Sequence, residues 1–198
     1  NKLFNFIFLL TCILIIVNGC NFIDGVNNNL NIYFILFNLT VMYLKYINNI
    51  NLDHNIVFLV FSVIFFFFNY KNILMAGDSG SYLVGFISSV EAVMITNQIE
   101  NLSKYFAILL LAYPSYEVLF SMIRKRKNSF LFPDGKHLHL LLIKFNKKNH
   151  IKTSFQLNFL NLIIFFIGIY FSTDDIVLIF LIFSYIITYN YFHNYLSR

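Results

Sequence analysis

Residues 155–192 read FQLNFLNLIIFFIGIYFS-TDD-IVLIFLIFSYIITYNYF. Two apolar runs, 155–172 and 176–192, flank a three-residue polar step, and Asp174 and Asp175 are the only charged side chains in the stretch. A helix needs about 20 residues to cross the hydrocarbon of a bilayer, with about 17–25 tolerated. Both runs meet that length. Alternation of apolar and polar residues is absent, which removes a membrane β-barrel. Backbone groups in lipid must find partners within their own segment, so each run reads as a helix despite its β-branched residues.

Five further runs of the same kind lie upstream, at 3–17, 30–46, 56–70, 81–96 and 105–123. The expectation is an all-α, polytopic transmembrane helix bundle of about seven spans, forming one integral-membrane domain over residues 1–198. Composition agrees. Of 198 residues, 59% are apolar and 20% aromatic (26 Phe, 13 Tyr, no Trp), only 12% are charged, and mean hydropathy is +0.70. A soluble domain has too little here to cover its surface, and disorder needs the opposite bias. Two cysteines, Cys12 and Cys20, exclude a disulfide scaffold, and the lack of a CxxC excludes a zinc ribbon. Run 3–17 lacks a small-residue cleavage site and is not read as a signal peptide. No internal repeat is evident.

Seven spans sort the polar connections onto two faces. One set, 18–29, 71–80, 124–152 and the C-terminal tail, holds Lys71, Arg124, Lys125, Arg126, Lys127, Lys136, Lys144, Lys147, Lys148, Lys152 and Arg198. The other holds Lys2, Lys45 and Lys104, the remainder of the 14 basic residues. By the positive-inside rule the first set is cytoplasmic. The net charge of +5 is therefore a topology signal beside a lipid bilayer, and no nucleic-acid partner is inferred from it.

The unusual polar residues share that face. Asn18, Asn21 and Asp24 follow the first span at three-residue spacing, so they converge on one side of a helix end. Gly77-Asp78-Ser79-Gly80 precedes the fourth span and sets one carboxylate among small residues, which suits Mg²⁺ bound through one or two carboxylates plus phosphate oxygens. His137 and His139 follow Lys136 in the basic loop, where the surroundings favour a pyrophosphate over zinc. Each element alone also reads as ordinary capping or turn chemistry. Their order and common face point further.

In series, N-x-x-N-x-x-D-G, GDSGSYLVGF, P-x-x-E, a basic run and PDxxHLHxLL resemble the polyprenyl-phosphate N-acetylhexosamine-1-phosphate transferases, the family of the phospho-N-acetylmuramoyl-pentapeptide translocase. The resemblance runs from about Asn18 to Leu142. It implies transfer of a sugar 1-phosphate from a UDP-N-acetylhexosamine to undecaprenyl phosphate, with Mg²⁺, at the cytoplasmic face of the bacterial inner membrane. That is the first membrane step of O-antigen, teichoic-acid or peptidoglycan-type synthesis. It further implies Asp24 and Asp78 as catalytic, Asn18 and Asp78 at the metal, and Asn21, Asp24, Lys136, His137 and His139 at the substrates, with a homodimer as one possible assembly.

The chain departs from the family pattern in places. The second Gly after Asp24-Gly25 is missing, Gly135 stands where an Arg often follows the Pro-Asp, and Leu140 occupies a third His position. An adjacent Asp pair expected on an earlier cytoplasmic loop is absent, Asp174-Asp175 being late and on the outer face. The expectation is the C-terminal part of such an enzyme, inactive alone. Glu91 and Glu117 lie within spans, and intramembrane acids make a transporter the alternative class, disfavoured by the absence of paired repeats or broken half-helices.

Overall fold

The computed structural model describes residues 2–125 and 135–197, and every described element is helical. These are α1 (Lys2–Ile23), α2 (Asn29–Ile47), α3 (Asp53–Tyr70), α4 (Gly77–Gln98), α5 (Lys104–Leu110), α6 (Ala112–Lys125), α7 (Leu138–Phe145), α8 (His150–Tyr170) and α9 (Asp175–Leu196). Six are long and apolar enough to cross a membrane, and α5 with α6 makes a seventh span if the pair counts as one. The chain is a multi-pass helical membrane protein. Exposed Phe, Ile, Leu and Val along α1, α3 and α9 form its lipid-facing surface.

One expectation is corrected here. Residues 105–123 are not an unbroken span, because α5 and α6 meet at 70°. Pro114, at the third position of α6, has no N–H for the carbonyl of Leu110, and its ring opposes a straight helix there. The freed Leu110 carbonyl accepts instead from the hydroxyl of Tyr33 on α2, at 2.9 Å. The kink is thus a proline break whose orphan acceptor is satisfied from a neighbouring helix. The basic loop also carries more structure than its composition indicates. It contains α7, and α8 begins at His150, five residues before the apolar run. Likewise α4 begins at Gly77, so Asp78 sits within its first turn, near the positive helix end.

Close helix contacts fix the bundle around α1. A Cβ built on Gly19 stands 2.5 Å from the carbonyl carbon of Pro114, with the carbonyl oxygen nearer still, and one on Gly85 stands 2.7 Å from Val17 Cα. Only glycine lets α6 and α4 approach α1 this closely, the packing membrane helices use where burial in lipid gives no driving force. The core beside it holds Tyr33, Phe37, Phe106, Leu110, Tyr113 and Leu178.

Hydrogen bonds separate the two ends. At one end Asn27, Asn28 and Asn29 tie the α1–α2 turn to α3 and α8. Asn28 N–H donates to Asn69 Oδ1 at 2.6 Å, Ser154 Oγ donates to the Asn27 carbonyl at 2.7 Å, and Asn158 Nδ2 donates to Asn29 Oδ1 at 3.0 Å. At the other end Lys45 and Glu91 form an ion pair at 2.8 Å. Lys45 also donates to Asn55 Oδ1 at 2.8 Å, and Asn55 Nδ2 donates to Asn38 Oδ1 at 2.8 Å. Lys45, grouped from sequence with the outer-face charges, is therefore a buried member of α2 and not a loop charge.

Candidate functional site

The site is built at the end where α1 stops and α4 starts. Asn21, on the last turn of α1, donates its Nδ2 to Asp78 Oδ1 at 3.1 Å across 57 residues of sequence. Asp24 lies in the turn just beyond, half-buried, and Asp78 is exposed. Burial and then the Asp78 charge push the Asp24 carboxyl up to about 7. Asn18 lies one turn earlier on α1, exposed, with its amide donating to the Leu14 carbonyl of its own helix at 2.7 Å. Of the two asparagines, Asn21 is the one in contact with Asp78.

The histidine loop reaches the same place from the other side. The ring of His137, which precedes α7, meets Phe22 edge-on at 5.1 Å and stacks with His139 at 5.5 Å. His139, in the first turn of α7, is 2% exposed. A Cβ on Gly25 stands 2.5 Å from its Nε2, so the Asp24-Gly25 turn rests directly on that ring. Burial, above all, holds the His139 imidazole down at about 4, against a smaller opposing effect of Glu117. Thus His139 is a neutral, packed support for the turn and is not open to solvent. Lys136 is exposed, and its backbone carbonyl accepts from Arg124 Nη1 at 2.8 Å, with His193 Nε2 at 2.9 Å from the same oxygen.

Of two further partners of this loop, sequence reading assigned Glu117, the acid of P-x-x-E, as a structural tie near it, and missed His193. Glu117, noted as an intramembrane acid, places Oε2 at 3.0 Å from His137 Nδ1. The signal available for it was the Pro114-x-x-Glu117 spacing at the kink. His193, the nineteenth residue of α9, had no such signal. Arg126, Lys127, Pro133 and Asp134, also considered in the basic loop, lie outside the described residues.

The donor set was compared with the needs of Mg²⁺. Among the described residues no group of three or more His, Cys, Asp or Glu is arranged to hold a metal, so no closed protein cage forms. Two carboxylates do stand close enough that one raises the proton affinity of the other. Mg²⁺ keeps several waters and binds through one or two carboxylates plus substrate phosphates. Asp24 and Asp78 fit a cation delivered with a diphosphate, and do not fit a resident structural ion.

Two clefts lie elsewhere on the bundle, lined by other residues. A polar one of about 430 Å³ is lined by Asn27, Tyr70, Asn72, Lys148, Asn149 and His150. An apolar one of about 280 Å³ runs along the membrane part of the same helices, between Leu9, Ile13 and Ile16 of α1, Val93 of α4, and Ile108 and Leu119 of the kinked pair. Compared against family models, curated proteins and solved structures, the chain gives no match.

Proposed function

We propose that this chain is part of an enzyme that transfers N-acetylhexosamine 1-phosphate from a UDP-sugar to undecaprenyl phosphate at the cytoplasmic face of a bacterial inner membrane. One observation carries the reading. Three polar segments distant in sequence meet at one end of the bundle, with Asn21 on Asp78 and the Gly25 turn on His139, and a separate apolar cleft lies along the membrane part of α1 and α4. A polar donor and a lipid acceptor need that combination of surroundings.

In the reaction an oxygen of the acceptor phosphate attacks the sugar-bearing phosphorus of the UDP-sugar. The bond from that phosphorus to the bridging oxygen breaks, and UMP leaves. Such transfers ask the protein mainly to position groups and to offset charge. Asp24 and Asp78 would hold Mg²⁺, with Asn18 one turn earlier on α1, and the ion would supply charge neutralisation on the phosphate oxygens. Asn21 orients Asp78 through its amide. Lys136 and His137 face the diphosphate, His139 supports the turn that carries Asp24, and the Tyr70 ring and neighbouring amides of the polar cleft suit a nucleoside. The prenyl chain lies against Ile13, Ile16 and Ile108.

The transporter reading finds less support. The break between α5 and α6 removes one objection to it. Yet Glu91 is paired with Lys45 and Glu117 with His137, and both acids are buried. Neither stands as an open ion site.

The test uses membranes carrying the reading frame that contains these residues, supplied with undecaprenyl phosphate and radiolabelled UDP-N-acetylglucosamine or UDP-N-acetylgalactosamine. Label should enter the lipid extract as UMP is released, and only with Mg²⁺. Asp78→Asn should lower transfer by about 10²–10³, the loss expected when one charge-stabilising contact goes, while membrane insertion persists because Asp78 is exposed at the helix end. Label gathering inside sealed vesicles with none in lipid overturns the proposal in favour of transport.

A further inference from the structure

We infer that Glu117 is a positioning residue for His137: it accepts a hydrogen bond from the Nδ1–H of that imidazole, fixes the ring's orientation, and aims Nε2 at the diphosphate of a sugar nucleotide, to whose oxygens Nε2–H donates when the ring carries its second proton. The ligand named rests on the function proposed above, whereas the positioning rests on geometry alone.

Glu117 Oε2 lies 3.0 Å from His137 Nδ1, with the carboxylate side chain 1% exposed and the imidazole 14%. An ionised carboxylate only accepts, so a hydrogen bond here requires the proton on Nδ1. Nε2 is then the ring's remaining nitrogen, and a carboxylate bonded to one ring nitrogen fixes the direction in which the other faces a ligand. The bond is selective. The other carboxylate oxygen, Oε1, is 4.0 Å from His139 Nδ1, too far for a hydrogen bond. Glu117 therefore directs one specific bond at the half-buried ring and none at the fully buried one.

The remaining contacts hold that ring from its other sides. Phe22, next to Asn21 on α1, meets it edge-on, and His139 stacks behind it. One residue earlier, the Lys136 carbonyl is held by Arg124 and flanked by His193. A tie between α6 and the loop needs no titratable pair, and burying a carboxylate costs several kcal/mol in itself. Such a cost is reasonable where the orientation of one imidazole decides binding. The trio of Glu117, His137 and His139 is not arranged as a metal site.

The experiment is nitrogen NMR on protein labelled with ¹⁵N-histidine in lipid nanodiscs, with the His137 resonances identified by their loss in His137→Gln. Wild-type protein should show a slowly exchanging proton on His137 Nδ1, and Glu117→Gln should lose or broaden it. A wild-type His137 protonated on Nε2 alone overturns the inference without recourse to any variant. Equilibrium dialysis with UDP-N-acetylglucosamine supplies the second arm. Glu117→Gln should weaken binding about tenfold, Glu117→Asp should recover part of it, and the double variant with His137→Gln should bind no worse than His137→Gln alone. Unchanged binding by a folded Glu117→Gln protein also overturns the inference, with the proposed function intact. Absence of sugar-nucleotide binding by wild type sinks the proposed function and the ligand named here, while the Nδ1 measurement still decides the positioning.

Discussion

Gly19→Ala is the substitution whose cost the structure sets most directly. The new methyl stands 2.5 Å from the Pro114 carbonyl carbon, whereas ordinary contact begins at 3.4 Å. The obstacle is backbone and cannot rotate aside, and the carbonyl oxygen is nearer still, so α1 and α6 must separate by at least about 0.9 Å, the difference between those distances. Overpacking of this kind costs about 1–3 kcal/mol. Against it stands a gain of up to about 1 kcal/mol from replacing glycine by alanine within a helix. The steric loss wins. At about 2–4 °C per kcal/mol for a chain of this size, the thermal midpoint in detergent should fall by several degrees. Gly168→Ala is the matched comparison. Its methyl overlaps just as closely, at 2.6 Å, but with Leu109 Cδ2, the far end of a side chain able to rotate. There the helix gain should offset the overlap, and the midpoint should hold or rise. Separating α1 from α6 also moves Asn21 and Asp24 away from the loop held by Glu117. Transfer should therefore drop about 10²-fold, as misplacements near 1 Å do. Equal midpoints for the two variants, measured by circular dichroism on purified protein, would refute the close-packing account of this helix pair.

Three other outcomes follow from particular contacts. Lys45→Met leaves Glu91 buried without its cation and should destabilise by about 3–5 kcal/mol, while the double variant with Glu91→Leu should recover most of that loss; chemical denaturation of the three proteins decides it. The His139 imidazole, held down at about 4 from its usual 6.5, makes the folded state less able than the unfolded one to take a proton between those values. Its contribution is complete above pH 6.5 and is lost as pH falls towards 4, whereas Asp24, raised to about 7, stabilises the fold over part of the same range, so the test is a difference: between pH 7.5 and 5 the melting point of wild type should shift downward relative to that of His139→Gln. For topology, Asn101→Cys and Lys144→Cys, both exposed positions, are compared in a background with Cys12 replaced. A membrane-impermeant thiol reagent should label Asn101→Cys on intact cells and Lys144→Cys only after permeabilisation. Labelling of both from one side contradicts the assigned orientation.

The sequence by itself determined that the chain is a helical membrane protein and where its spans lie. It also grouped Asn21, Asp24, Asp78 and the histidine pair at one end. Transfer of an apolar segment into hydrocarbon is a sum over a window of about 20 residues, so it is written locally. Alternation of ends along successive spans then follows from connectivity, and the lysine and arginine bias gives it a direction. Partner choice inside the bundle is of another kind. That Glu91 meets Lys45, that Glu117 takes His137 and leaves His139, and that Tyr33 caps the carbonyl Pro114 sets free, each depend on helices far apart in sequence. A buried polar group must find a partner, but the chain pattern around Glu91 says nothing of α2. Pro114 lay within a run read as one span, and that α6 turns from α5 there, and which carbonyl is then rescued, depended on the surrounding helices. Only tertiary packing decides where such non-local debts of hydrogen bonding and charge are settled, because their energy resides in pairs of groups and not in the segment that carries either one.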